Sequence, residues 1–224
     1  MKLFLDIETL PTNSNEKIDY VVKNIKAPGN YKKQEAIDKY IAIERKSVVS
    51  NTALSGIFGE VYMIGYAIDD SPVRVIREAS EGDTIAQFIE DISSKGLIDD
   101  FGYCKATIVG HNAEDFDVPF LSQRMMVNQF KPLYHHATSA KIDDTMKMFA
   151  CGRYKQFYKL EALCLAFGLP CSAGNMDGSK VAQYYAEGRH DEVMKYCGGD
   201  VEDMRRVYYA MTDPSKLQQI SEAA

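Results

Sequence analysis

The sequence predicts an α/β fold in which helices flank a mixed central sheet. Three observations predict it: strand-like apolar runs concentrate in the first half, a single strand–helix alternation follows, and helical spacing dominates from Ala140 onward. Strands that come early and helices that come late favour a mixed sheet over a fully wound parallel one.

Four short apolar runs have the composition of strands. They are "LFLDIET" at 3–9, "EVYMIGYAI" at 60–68, "VRVIRE" at 73–78 and "ATIVG" at 106–110. The turn-forming "DDSP" between the second and third runs predicts that these two pair as a hairpin. The fourth run is short and mostly apolar, which is typical of a buried strand.

Helical spacing of apolar residues predicts the helices. "DTIAQFIEDI" places four apolar residues on one face, with Asp83 as the expected N-cap. "VPFLSQRMMV" has Pro119 in its first turn, where proline is tolerated. Glycines end the first two of three later helices. These are "YKLEALCLAFG", "SKVAQYYAEG" and "DEVMKYCGGDVEDMRRVYYAM".

The length of 224 residues fits one domain, and we expect a single domain over residues 1–224. A polar segment at about 11–58 follows the first strand, and its "AIDKYIAIE" part has mixed helical spacing. We interpret this segment as a partly helical insertion into the domain.

Charge and cysteine content exclude several classes of protein. A net charge of −6 argues against broad, non-specific coating of nucleic acid, but not against an enzyme whose acids are neutralised by metal. The five cysteines include no C-x-x-C pair, so we expect neither a disulfide framework nor a zinc knuckle, and a cytoplasmic location. No apolar run is long enough for a membrane span, and "MKLFLDIETL" carries charge in its middle, so no signal peptide is expected.

The end of the first strand carries two acids on one face. Because side chains alternate along a strand, Asp6 and Glu8 point the same way. Two like charges there repel each other unless a cation lies between them. Either the strand end is solvated and the pair is incidental, or a metal binds there.

Two further acidic positions lie at helices. Asp117 precedes "VPFLSQRMMV" and is either an N-cap, for which Asp115 is an equally good candidate, or a functional acid. Tyr196 and Asp200 are four residues apart and therefore share a helix face. The intervening Gly198-Gly199 indicates that another backbone or a ligand comes close to this helix.

The three segments "LFLDIET", "GHNAEDFD" and "YCGGD", in this order, resemble the three exonuclease motifs of the DEDD superfamily. The resemblance implies a ribonuclease H-like fold. More narrowly, the chain is similar to the proofreading exonuclease domain of family B DNA polymerases, standing alone. The histidine branch of the superfamily places His where this chain has Lys195, whereas Tyr196 matches the tyrosine (DEDDy) branch.

The resemblance also implies metal ligands and their roles. Asp6, Glu8, Asp117 and Asp200 would hold two divalent cations, and hard oxygen ligands suit Mg²⁺ or Mn²⁺. Asp6 would bridge both ions, Glu8 and Asp200 would hold the one that activates water, and Asp117 the other. Tyr196 would orient the nucleophilic water.

Substrate contacts are expected on both sides of this site. By family analogy, Leu10 wedges against the terminal base and Asn112 touches the terminal nucleotide. "GRYKQFYK" mixes Arg153, Lys155 and Lys159 with Tyr154, Phe157 and Tyr158, which is the composition of a single-strand groove. An ordinary helix start is the alternative interpretation. Three further residues are not expected to bind metal, because they have no partner at ligand spacing: His111, His135 and His136.

We therefore expect a metal-dependent 3′–5′ exonuclease that releases nucleoside 5′-monophosphates from single-stranded DNA, with replication or repair proteins as partners and no membrane. Two alternatives remain open: an exoribonuclease that trims RNA 3′ ends, and a non-catalytic module that binds nucleic acid or a replication complex. The sequence does not distinguish DNA from RNA, because that choice depends on contacts to the 2′-hydroxyl.

Overall fold

The first strand of the chain lies at the centre of a five-stranded sheet. The structure is a computed structural model that describes residues 1–100, 102–133, 141–153, 155–172, 174 and 176–217. Within these residues the strands are β1 (Lys2–Leu10), β2 (Glu60–Ile68), β3 (Arg74–Ile76), β4 (Thr107–Gly110) and β5 (Ile142–Asp144). Their order is β3-β2-β1-β4-β5, antiparallel on the β2 side of β1 and parallel on the β4 side. The predicted mixed sheet is confirmed.

Helices cover both faces of this sheet. They are α1 (Asn15–Lys23), α2 (Gln34–Ser50), α3 (Glu81–Ser94), α4 (Asp117–Val127), α5 (Thr145–Ala150), α6 (Leu160–Phe167), α7 (Val181–Ala186) and α8 (His190–Thr212). Helices α1 and α2 form most of the segment 11–58 and bury none of their own residues. Among the residues that the structure describes, no helix combines the length and apolarity that a bilayer crossing needs.

The alternation of β1 assigns each of its side chains to one of two layers. Leu3, Leu5 and Ile7 pack into a core formed with α3 and α4. Phe4, on the opposite face, packs against Val201, Met204 and the two tyrosines that follow them on α8. Asp6 and Glu8 share the face of Phe4, so the fold directs both carboxylates toward α8.

Three local features differ from the sequence-based expectations. Strand β5 lies in a region predicted as helical; it has only three residues, two of them acidic, and it forms because β4 offers a free parallel edge. The N-cap of α3 is Ser80 rather than Asp83, because the helix begins at Glu81 and places Asp83 in its first turn. Residues 178–180 form a 3₁₀ turn before α7.

Close packing of α8 on the sheet depends on Gly65, the partner of Asp6 in the β1–β2 register. A Cβ atom at this position would lie 2.7 Å from Cys197 Sγ and 3.0 Å from Val201 Cγ2. Only glycine therefore allows α8 to approach the strand that carries the two acids.

We predict that Gly65→Ala lowers the free energy of unfolding by about 1–3 kcal/mol, because the extra methyl overpacks the interface between β2 and α8. In a chain of this size that is a drop of several degrees in Tm. Gly29→Ala is the matched control, since a Cβ at Gly29 meets no atom within 4 Å. Equal melting temperatures for the two variants would contradict this role of Gly65.

Candidate active site

The first wall of the site is the C-terminal half of β1. Asp6 is half-buried and Glu8 is only 5% exposed. The register of β1 with β2 shifts between Glu8 and Thr9, just beyond the second acid, and the pairing then continues to Leu10. Strand β4 pairs with β1 only as far as Phe4, so the β4 edge of β1 is open beside both carboxylates.

Helix α8 supplies the opposite wall. Tyr196 and Asp200 lie one turn apart and are both half-buried. Side chains, rather than the expected backbone or ligand, lie close to the double glycine: a Cβ at Gly198 would lie 3.2 Å from Val75 Cγ2, and one at Gly199 2.7 Å from the Cβ of Ser172. The glycines thus accommodate β3 on one side and the segment around Ser172 on the other.

Asp117 reaches the site from the start of α4. It is the first residue of that helix, with Phe116 as the N-cap residue, and its Oδ1 accepts a hydrogen bond from the backbone N–H of Ile7 at 3.1 Å. Asp117 thereby closes the open edge of β1. This hydrogen bond places its carboxylate, which is 4% exposed, beside Asp6 and Glu8.

Asp144 holds the loop that leads to Asp117. Its carboxylate is the N-cap of α5, where it accepts from the amides of Met146 and Lys147. It also accepts from the amides of Asn112 and Glu114, each at 3.1 Å. The same carboxylate therefore caps α5 and fixes the loop between β4 and α4.

The electrostatics of the site are dominated by burial and mutual repulsion. Burial, followed by the charges of Asp117, Glu8 and Asp200, raises the pKa of Asp6 well above its usual range. The pKa of Glu8 is also raised, by burial and then by its acidic neighbours. Burial is the main cause that raises the pKa of Asp117 to about 7 and of Asp200 to about 6.

Such a set of oxygen donors fits a divalent cation. Without one, four carboxylates in a small buried volume are costly, and the raised pKa values express that cost. Hard oxygen ligands are the donors that Mg²⁺ and Mn²⁺ prefer. The four residues predicted as ligands are therefore brought together in a form that suits those ions.

Cys197 is a residue at the site that the sequence analysis missed. Ligand atoms of Asp6, Glu8 and Cys197 all lie within 4.8 Å of one another. Burial and the nearby carboxylates raise the pKa of the Cys197 thiol well above its usual range, so it stays protonated and hydrogen-bonds Asp6. Its position three residues before Asp200 on α8 is the signal from which it could have been found.

An open cavity of about 290 Å³ lies over the acids. Its lining consists of the site residues Asp6, Tyr196 and Asp200 together with His111, Lys159, Leu160, Glu161, Cys171, Met176, Asp177, Asp203 and Met204. Glu8 and Asp117 lie beneath this surface. The cavity therefore exposes part of the acidic cluster to a ligand and carries Lys159 at its border.

The cavity also holds a second group of potential metal donors, formed by Cys164, Cys171 and Asp203. The Asp203 carboxylate already accepts from the amide and hydroxyl of Ser172 and pairs with Arg206 at 3.0 Å. Its charge is thus compensated within the protein, unlike that of the four site acids.

The residues predicted to contact substrate are divided among three places. Lys159 lines the acidic cavity. Leu10 packs against Tyr62 and Met63 and borders a different cavity. Arg153 and Lys155 line a third cavity. The structure therefore does not bring Leu10, Arg153 or Lys155 into the acidic cavity.

Asn112 adopts a left-handed backbone conformation with φ of 62°, at the turn held by Asp144. Its side-chain Oδ1 is buried and has no hydrogen-bond partner among the described residues. His111, its neighbour, is satisfied at both ring nitrogens, by Thr145 Oγ1 at 2.9 Å and by the carbonyl oxygen of Tyr158 at 2.7 Å. His111 therefore fixes the chain near Lys159, while Tyr154, His135 and His136 lie outside the described residues.

The described residues of the segment "GRYKQFYK" form a loop that leads into α6. Helix α6 begins at Leu160, and the residues between Cys151 and Lys159 that the structure describes lie in a loop. The alternative of an ordinary helix start is wrong for Arg153 and Lys155, because Cys151, Gly152 and Lys155 all have positive φ, which a helix excludes.

Comparison with solved structures supports the fold assignment. The chain is similar to a structure titled "Structure of the family B DNA polymerase from the hyperthermophilic archaeon Pyrobaculum calidifontis", with a TM-score of 0.57 and 16% sequence identity. The similarity covers 98% of this chain and 25% of the polymerase chain, so the chain spans a quarter of that protein's length. The predicted ribonuclease H-like α/β fold is confirmed. No curated protein matches the chain.

A family profile described as "Predicted 3'-5' exonuclease related to the exonuclease domain of PolB" matches residues 73–216. The match includes Asp117, Tyr196 and Asp200, and Asp6 and Glu8 lie before it. Because it covers more than half of the chain, the chain belongs to this family of 3′–5′ exonucleases related to the exonuclease domain of family B DNA polymerases.

Proposed function

We propose that the chain is a metal-dependent 3′–5′ exonuclease that releases nucleoside 5′-monophosphates from single-stranded DNA by a two-metal-ion mechanism. The observation that carries this proposal is the convergence of four carboxylates with raised pKa values at an open cavity, two of them buried and two half-buried. A divalent cation bound among these carboxylates would offset their mutual repulsion, so the arrangement favours cation binding.

Two divalent cations, when bound, would generate a nucleophile from water and neutralise charge on the scissile phosphate. The charges of all three other acids raise the pKa of Asp6, so its carboxylate is near each of them and would suit a ligand shared by both ions. Glu8 and Asp200 would hold the ion on the α8 side. Asp117 would hold the ion on the side of the β4–α4 loop.

Tyr196 would orient the attacking water rather than accept its proton. Burial and the charges of Asp200 and Glu8 raise the pKa of Tyr196 above its usual value, so the phenol stays protonated at neutral pH. A protonated hydroxyl is a hydrogen-bond donor and acceptor but a poor general base.

Lys159 and Asn112 are the residues that we propose for the terminal nucleotide. Lys159 borders the acidic cavity and offers a cation to the phosphate. Asn112 does not line the acidic cavity, and its Oδ1 is buried without a partner among the described residues, so a contact with the terminal sugar would require this side chain to turn outward. Leu10 borders a neighbouring cavity, so a wedge role would require the terminal base to extend toward Tyr62.

A non-catalytic binding role is disfavoured by the same cluster. Removing any one of the acids would relieve repulsion and stabilise the fold, so a protein that only docks gains nothing from all four.

We predict that cleavage of linear single-stranded DNA starts at the 3′ end, requires Mg²⁺ or Mn²⁺, and yields mononucleotides. The measurement is digestion of matched 5′-labelled DNA and RNA oligomers, alongside a closed single-stranded circle. The circle should resist, because it has no 3′ end. Rapid cutting of the circle would show an endonuclease, and faster digestion of RNA than of DNA would show an exoribonuclease.

We predict that metal-free protein loses stability as the pH rises from about 4 to about 7. The folded-state pKa values of Asp117 and Asp200 lie above their unfolded values, so the folded state binds more protons across this window. Mn²⁺ should raise the Tm at neutral pH by several degrees, since a ligand at a hundred times its Kd stabilises by about 2.7 kcal/mol.

Asp6→Asn should abolish most of that Mn²⁺-dependent rise and should raise the Tm of the metal-free protein. Asp19→Asn, which neutralises an exposed acid on α1, is the matched control and should behave as wild type. A wild-type melt that does not respond to Mn²⁺ would contradict the metal site.

We predict that Tyr196→Phe slows single-turnover cleavage about tenfold to a thousandfold, because one hydrogen bond at the transition state is lost. Metal binding should survive, since no ligand changes. Asp200→Asn, one turn away on the same helix, should slow cleavage further and also weaken the Mn²⁺-dependent rise in Tm. Full activity in Tyr196→Phe would show that the ring serves only packing.

A further inference from the structure

The loop that joins α5 to α6 forms one wall of a second cavity, which we call the strand cavity. Its volume is about 540 Å³. It is lined by Asp115, Met146, Lys147, Ala150, Gly152, Arg153, Lys155, Gln156 and Phe157. The lining therefore combines three cations with one large aromatic side chain, although the chain as a whole carries net negative charge.

Phe157 projects away from the protein interior. Its side chain is 73% exposed, whereas the next residue, Tyr158, turns inward and makes an edge-to-face contact with Phe149 at 5.1 Å between ring centroids. Tyr158 also packs on the cluster that contains Leu163. The inward tyrosine anchors the loop, and the loop presents Phe157 to solvent at the cavity.

Neighbouring residues of one segment line the strand cavity and the acidic cavity. Lys159 lines the acidic cavity, and only Tyr158 separates it from Phe157, so the Cα atoms of Phe157 and Lys159 are at most about 7 Å apart. His111 fixes this junction through the carbonyl oxygen of Tyr158 at 2.7 Å. On the other wall, Asp115 borders the strand cavity two residues before Asp117.

The charge distribution favours an anionic occupant for the strand cavity. Lys147 is paired with Glu114 at 3.1 Å and Asp115 at 2.9 Å, so its charge is largely compensated. Arg153 is exposed and forms no salt bridge with any residue that the structure describes. Lys155 is held in a left-handed conformation with φ of 55° on the same wall.

We propose that the strand cavity binds the nucleotides of single-stranded DNA that lie 5′ to the terminal one, with a base stacked on Phe157 and phosphates against Arg153 and Lys155. Aromatic rings beside cations are the features with which proteins hold single strands without regard to sequence. This inference rests on the proposed function, since it extends the substrate path away from the acidic cavity.

The test compares a long labelled oligothymidylate with a thymidine dinucleotide, which is too short to occupy both cavities. Binding of the long oligomer is measured by fluorescence anisotropy in an Asp200→Asn background, so that cleavage does not interfere. Phe157→Ala should weaken this binding roughly tenfold, and Phe157→Trp should restore it, because the indole also stacks. Leu165→Ala, which truncates an 82% exposed apolar side chain on α6, is the matched control.

Two further readouts separate a binding role from a structural one. Arg153→Gln should reduce the salt dependence of binding by about one phosphate contact, whereas Lys95→Gln at the end of α3 should not. With Asp200 intact, the ratio of kcat/KM for the long oligomer to that for the dinucleotide should fall in Phe157→Ala.

The affinity of the variants for the long oligomer tests the strand cavity independently of catalysis. Wild-type affinity and salt dependence in both Phe157→Ala and Arg153→Gln would overturn it, even if the enzyme cleaves single-stranded DNA as proposed. Conversely, loss of binding in these variants would support the strand cavity even if the wild-type protein cleaved neither substrate, a result that would defeat the proposed function alone.

Discussion

Electrostatic repulsion among four carboxylates that are buried or half-buried is the constraint on which the rest of the site depends. Asp6, Glu8, Asp117 and Asp200 come from a strand, a helix start and a long helix, and each raises the cost of charging at least one of the others. The surrounding fold must hold them together against that repulsion. A bound cation would turn the same arrangement from a cost into a source of stability.

Packing of uncharged groups and hydrogen bonds from backbone amides hold the four carboxylates together. Gly65 lets α8 approach β2, so that Cys197 packs beneath Asp6 and donates a hydrogen bond to it. Asp144 gathers four backbone amides and thereby fixes the loop before Asp117. None of these residues needs to touch substrate, yet each determines where a carboxylate lies.

The mixed sheet and two pairs of site residues could be predicted from local patterns, whereas the convergence of the four carboxylates was expected only from the resemblance to the DEDD exonucleases. Period-two alternation places Asp6 and Glu8 on one face, and four-residue spacing places Tyr196 one turn from Asp200. The spacing of Cys197 from Asp200 places both on one face of α8, but the contact of Cys197 with Asp6 and the hydrogen bonds of Asp144 to Asn112 and Glu114 join distant segments, and no local pattern encodes such contacts. Strand β5 escaped prediction for the same reason, since three residues with two acids form a strand only because the edge of β4 is available. The separation of Arg153 and Lys155 from the acidic cavity likewise depends on left-handed backbone at Cys151, Gly152 and Lys155, which composition does not reveal.

We propose that the carboxylate cluster binds two cations and that Asp6 contacts both. The anomalous difference map of a crystal grown with Mn²⁺ would test this proposal. We expect two peaks about 3.5–4 Å apart, both in contact with Asp6, one beside Glu8 and Asp200 and the other beside Asp117. A map with no peak at these carboxylates, or with its only peak at Cys164, Cys171 and Asp203, would contradict it.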